Sequence, residues 1–136
     1  MKHFTLYLIY TLLLAVMLQA CNDALDITQK YSFDLLTMPY PKSIAQGETV
    51  EIRCRIAGEG NYAGARFYIR YFQPDGRGVL RLDNGTVLTP NDLFPLTNDV
   101  FRLYYTSLCT ERQTIDVYIE DNFGQSVQKT FSFTNE

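Results

Sequence analysis

From residue 31 onward the chain alternates apolar and polar positions with a period of two. The clearest run places Val50, Ile52, Cys54 and Ile56 on one side and Glu51, Arg53 and Arg55 on the other. Such alternation predicts a strand with one buried and one wet face. An earlier strand is expected over 31–36, at a sheet edge, ended by Met38-Pro39-Tyr40-Pro41 because proline cannot donate to a ladder. The next, over 66–72, sends Phe67, Ile69 and Tyr71 inward and Arg66, Tyr68, Arg70 and Phe72 outward. Gln73-Pro74-Asp75-Gly76 reads as a turn, 78–82 as a short strand, and Asp83-Asn84-Gly85 as a second turn with 86–88 pairing back. An irregular crossing is expected from Thr89 to Asn98, then strands over 100–105, 113–120 and 127–133. The last two are joined by the tight hairpin Asp121-Asn122-Phe123-Gly124. In the 113–120 strand Ile115, Val117 and Ile119 face inward, and Asp116, Tyr118 and Glu120 outward. Short strands at roughly ten-residue spacing, without a long helical period, predict an all-β fold, a sandwich or barrel. The count and length favour an immunoglobulin-like antiparallel β-sandwich of about seven strands. No internal repeat, low-complexity tract or second domain is visible.

The first twenty residues follow a different pattern. Lys2 and His3 precede an uncharged run from Phe4 to Leu18, and Leu18-Gln19-Ala20-Cys21 closes it. Basic start, short apolar stretch and small-residue cleavage site describe a secretory signal peptide. The run is shorter than the roughly 20 residues a bilayer span needs. A cysteine after Leu-x-Ala resembles a bacterial lipoprotein box, in which Cys21 is acylated and becomes the mature N-terminus; Gln19 departs from that pattern. A plain signal peptide and a retained membrane helix are the alternatives. The expected division is 1–20 signal peptide, 21–30 polar tether and 31–136 folded domain, held in the cell envelope as a lipoprotein, on the outer membrane.

Composition then narrows the chemistry. Cleavage before Cys21 takes 20 residues from 136 and leaves 116, enough for one real core. The processed chain keeps 15 acidic residues against 11 basic ones, for a net charge of −4, and no basic stripe suggests nucleic acid. The only histidine, His3, departs with the signal, which removes the usual general base, serine triads and common zinc sites from the mature chain. No carboxylate pair, phosphate-binding glycine loop or nucleophile elbow stands out, so no catalytic residue, cofactor or small-molecule substrate is expected, and the reading is not an enzyme. Asp and Asn gather at turns, at 83–84, 91–92, 98–99 and 121–122. Calcium could use such oxygens, but turn chemistry explains them without a metal. Cys54 and Cys109 remain in a chain exported to a compartment where disulfides persist. They form either a disulfide or two buried thiols.

The surface offers one constellation. If the 66–72 and 113–120 strands are neighbours, Arg66, Tyr68 and Arg70 stand beside Asp116, Tyr118 and Glu120. Such a face is either a ladder of cross-strand pairs or a docking surface, Tyr and Arg being enriched in interface hot spots. Tyr68, Arg70 and Tyr118 are the candidate interface residues, with the 89–98 crossing as a second candidate. Arg53 and Arg55 point outward from the opposite sheet and read as a solvated face. A glycan-binding or adhesin module is the alternative of another class, weakened by the absence of tryptophan.

Several stretches together resemble the TraQ family of conjugative-transposon proteins: Tyr71-Phe72-Gln73-Pro74-Asp75-Gly76, Leu88-Thr89-Pro90-Asn91-Asp92, the 100–107 segment followed by Cys109, and Gln113 through Gln125. The resemblance covers nearly all of the mature chain. It implies an immunoglobulin-like domain with an accessory role in an envelope-spanning transfer machine, whose other proteins would be its partners. It implies no catalytic residues.

Overall fold

In the computed structural model, which describes residues 1–17, 31–58 and 64–136, the alternating segments build two facing sheets. A helix, α1 (Lys2–Met17), precedes them. The strands are β1 (Phe33–Thr37), β2 (Ser43–Ile44), β3 (Thr49–Gly58), β4 (Phe67–Asp75), β5 (Gly78–Leu82), β6 (Phe94–Leu96), β7 (Val100–Ser107), β8 (Gln113–Asp121) and β9 (Ser126–Asn135). One sheet has the order β1-β3-β7-β5 and the other β2-β9-β8-β4-β6. The all-β sandwich expected from the alternation is the observed architecture. Its first sheet matches the A-B-E-D order of an immunoglobulin constant-type domain, and β9-β8-β4 matches G-F-C.

Two short strands were not expected. β2 pairs in parallel with the end of β9. β6 lies inside the expected irregular crossing, where Phe94 and Leu96 align with Ile69 and Phe67 of β4. The Gln73–Gly76 turn also falls later than its residues suggest. β4 runs through Pro74 to Asp75 with a register shift after Phe72, and the reversal comes at Gly76, whose φ of 74° suits glycine. The 86–88 return exists as a bridge between Arg81 and Val87.

The core lies between the sheets. Ile52, Ile69, Leu80, Leu103, Tyr105, Ile115, Val117, Ile119 and Phe131 are fully buried, each worth about 1.5–3 kcal/mol against exposure. Tyr40, just past the Pro39 break, closes one side, edge-on to Phe131 at 5.2 Å and to Phe133 at 5.6 Å. At one end a buried polar chain replaces apolar packing. The Tyr105 hydroxyl donates to Gln113 Oε1 at 2.7 Å and accepts from Gln73 Nε2 at 2.6 Å. Gln113 Nε2 in turn donates to Ser107 Oγ at 2.7 Å. In this chain Tyr105, Gln113 and Ser107 each satisfy one another's buried polar atoms, as burial requires. Residues 1–15 are exposed, so the sandwich core owes nothing to them. At 16 residues α1 is about 24 Å long. Among the described residues no helix is long and apolar enough to cross a membrane.

Candidate functional site: the outer sheet faces

β4 and β8 are adjacent and antiparallel, with Tyr68 opposite Glu120, Arg70 opposite Tyr118 and Phe72 opposite Asp116. Odd residues of β4 point into the core, so Tyr68, Arg70 and Phe72 share the outer face with Asp116, Tyr118 and Glu120, as the alternation predicts. The contacts run diagonally. Arg70 Nη2 lies 3.7 Å from Glu120 Oε2, both side chains somewhat under a third exposed. The Phe72 and Tyr118 rings meet edge to face at 5.6 Å. Asp116 Oδ1 accepts from the Thr130 hydroxyl at 2.6 Å, which ties the face to β9. Arg70 Nε is buried, with no hydrogen-bond partner among the described residues. The sequence-derived trio is therefore brought together, in a half-buried band running diagonally across the sheet.

The second candidate, the 89–98 crossing, contributes β6 to the edge of this sheet, where Pro95 aligns with Tyr68. Its Asn91 holds a left-handed φ of 68° while its N–H donates to Tyr71 O at 3.0 Å, a conformation asparagine tolerates better than most residues.

Cys21 and the 21–30 tether lie outside the described residues. Of the two alternatives for Cys54 and Cys109, the structure holds buried free thiols and not the disulfide. Cys54 pairs with Phe101 near the start of β7. Cys109 follows the end of that strand, where Ser107 N donates to Glu48 O. Cys54 lies five steps along β3 from Thr49 at that end, about 17 Å of strand, whereas a disulfide needs Cα atoms within about 7 Å. Alternation correctly turned Cys54 inward; it could not say at which end of the sandwich Cys109 would fall. Burial pushes the Cys54 thiol up to about 12, with the Lys129 ammonium pulling the other way.

The turn carboxylates and amides act on the backbone. Asp121 Oδ1 accepts from the N–H of Phe123 and of Gln125, and Asn84 Oδ1 from that of Thr86. Among the described residues no group of His, Cys, Asp or Glu could hold a metal ion.

The opposite outer face, expected to be simply solvated, carries more than charge. On β1-β3-β7, Leu36 aligns with Arg55 and Arg55 with Val100, and the next outward rung sets Arg53 against Arg102. Leu36, Met38 and Val100 are 40, 58 and 65 % exposed. Glu51 Oε1 accepts from Arg53 Nε at 2.9 Å and lies 3.6 Å from Arg102 Nε. The hydrogen bond from Arg53, helped by the charge of Arg102, holds the Glu51 carboxyl below its usual range, against a smaller opposing effect of burial. The signals were Leu36 following Leu35 and Val100 preceding Phe101, each an apolar residue on the wet phase of its strand. Their convergence depends on register, which local pattern does not contain.

Comparison with known proteins agrees with this architecture. The family model of the TraQ conjugal transfer protein matches residues 4–136. A lipoprotein from Bacteroides thetaiotaomicron, solved in solution, is 55 % identical, with 85 % of this chain and 88 % of that one covered and a TM-score of 0.72. A conjugative transposon lipoprotein from Bacteroides eggerthii DSM 20697 is 44 % identical over 78 % of this chain and all of its own, with a TM-score of 0.73. A conjugate transposon protein from Bacteroides vulgatus, solved in solution as residues 27–141, is 50 % identical over 82 % of this chain and 91 % of that one, with a TM-score of 0.69. No curated protein matches the chain.

Proposed function

Because the chain belongs to the TraQ conjugal transfer family, we propose that it serves the transfer apparatus of a conjugative transposon through recognition, making and breaking no bonds. In this reading Cys21 is acylated, the tether follows it, and the sandwich is held at the outer membrane of the donor envelope. Its partners are other proteins of the machine. The relatives described as lipoproteins support the anchor. Attachment confines the domain to a thin layer and raises its effective concentration for a neighbour in the same envelope, so a modest interface suffices.

One observation carries the contact reading. The β4–β8 register assembles Tyr68, Arg70, Phe72 and Tyr118 on one face, and aromatic and arginine side chains are those that dominate interface energetics. Replacing both Tyr68→Ala and Tyr118→Ala should lower transfer frequency by about tenfold or more, with the thermal unfolding transition of the domain still cooperative. Wild-type transfer by the folded double variant would remove this face from the proposal.

A further inference from the structure

We infer that the outer face of the β1-β3-β7-β5 sheet docks on an anionic lipid headgroup layer. Arg53, Arg55 and Arg102 take the phosphates, and Leu36, Met38 and Val100 enter the interfacial region. Among the described residues from 31 onward, seven large apolar side chains are exposed, and these three line one shallow, open depression of about 730 Å³. Scattered singly, such residues would mean little; gathered, they mark a surface that something covers.

The charges point to the occupant. From this face the lining adds Arg53, Arg55 and Arg102, with Glu51 just outside it, on a chain whose overall charge is negative; Lys129 reaches the same depression from β9 of the facing sheet, where its ammonium donates to Leu35 O. Arg53 and Arg102 stand directly opposite on neighbouring strands, an arrangement that costs stability. Glu51 relieves it from the margin, and among the described residues Arg55 forms no ion pair. Guanidinium groups match phosphate oxygens through paired hydrogen bonds. Cations ringing an aliphatic centre, on an open face rather than in a groove, suit a planar layer of headgroups over apolar chains.

Position supports the same occupant, and here the inference rests on the proposed anchor at Cys21. Nine residues separate Cys21 from Tyr31, a reach of about 36 Å at most. The strand they lead into, β1, is the edge strand of this same sheet. A domain tied to a bilayer at that distance meets it continually, and an anionic surface would select this face from an otherwise acidic molecule.

The test uses residues 21–136 coupled through Cys21 to a maleimide lipid in vesicles, so it does not depend on natural acylation. The isolated sandwich suffices because residues 1–15 are exposed and the Bacteroides vulgatus relative was solved from its residue 27 onward. The chain lacks tryptophan, so Val100→Trp gives a single tryptophan at the centre of the face, excited selectively over the tyrosines. Its emission should shift to the blue on vesicles containing an anionic phospholipid, not on purely zwitterionic ones, and the shift should fade with salt. Adding Arg53→Gln, Arg55→Gln and Arg102→Gln should reduce the docked-to-free ratio by about tenfold or more; Lys at the same positions should retain most of it. No shift on anionic vesicles, an equal shift on zwitterionic ones, or an undiminished shift in a folded Gln variant would overturn the inference. So would burial of the reporter by an acidic protein but not by lipid. Fatty-acid labelling of the full chain that missed Cys21 would sink the natural anchor while leaving the vesicle result standing.

Discussion

Cys54 shows how far a single residue's environment departs from its type. In a secreted-type chain a cysteine invites a disulfide, yet this one sits 3 % exposed on the inner face of β3. Burial raises its thiol from 9.0 to about 12. The folded state therefore keeps its proton where the unfolded chain would release it. That contribution to stability is fully present below about pH 9 and is lost as pH rises towards 12, each unit between the two values amounting to about 1.4 kcal/mol. Stability should thus fall above pH 9, and Cys54→Val should flatten the fall. The difference between parent and variant separates the thiol from Tyr71 and Tyr105, whose hydroxyls burial also pushes up. Thermal melts across that range provide the measurement. With both cysteines free, added reductant should leave the parent midpoint where it is. A reductant-sensitive midpoint would contradict the register that separates Cys54 from Cys109.

Among the elements, the approach of β5 to β7 is the tightest constraint. A Cβ placed on Gly78 would collide with the Tyr105 ring. That ring is fully buried, stacked on Phe133 at 5.3 Å, and fixed at its hydroxyl by Gln73 and Gln113. It has nowhere to retreat, so Gly78→Ala should destabilise the domain by about 1–3 kcal/mol, whereas Gly85→Ala, with open space around its Cβ but φ of 87°, should suffer only backbone strain of about 1–2 kcal/mol. Equilibrium urea unfolding of the two variants decides the order. Strands such as β3 and β8 were legible in the sequence because each buries one whole face, which stamps period two on the residues. β2 and β6 were not. They are two and three residues long, too short for a period to appear, and they form because β9 and β4 offer them an edge. The delayed turn at Gly76 has the same origin: pairing with β8 outweighed the local preference of Gln73-Pro74 for reversal.

At the scale of the whole molecule, the two outer faces look in opposite directions from sheets that pack about 10 Å apart. Local pattern was enough to put Tyr68, Arg70 and Tyr118 outward and to find them as a set, because their strands are adjacent. It missed the arginine–aliphatic face because Leu36, Arg55 and Val100 come from three strands spread over 65 positions and meet only through register. The placement also separates the two proposed contacts. Tyr68 and Tyr118 belong to β4 and β8, whereas Arg53, Arg55 and Arg102 belong to β3 and β7, and no hydrogen bond or ion pair among the described residues joins the two sets. Sites that far apart without shared partners contribute independently. Combining Tyr68→Ala and Tyr118→Ala with the three Arg→Gln changes should therefore give a stability loss equal to the sum of the two separate losses within about 0.5 kcal/mol. In transfer assays the two defects should multiply, since a bilayer contact and a protein contact would each scale the productive fraction on its own. A combined variant no worse than the more impaired parent would mean that both faces feed a single contact, and the division of labour between the sheets would then be wrong.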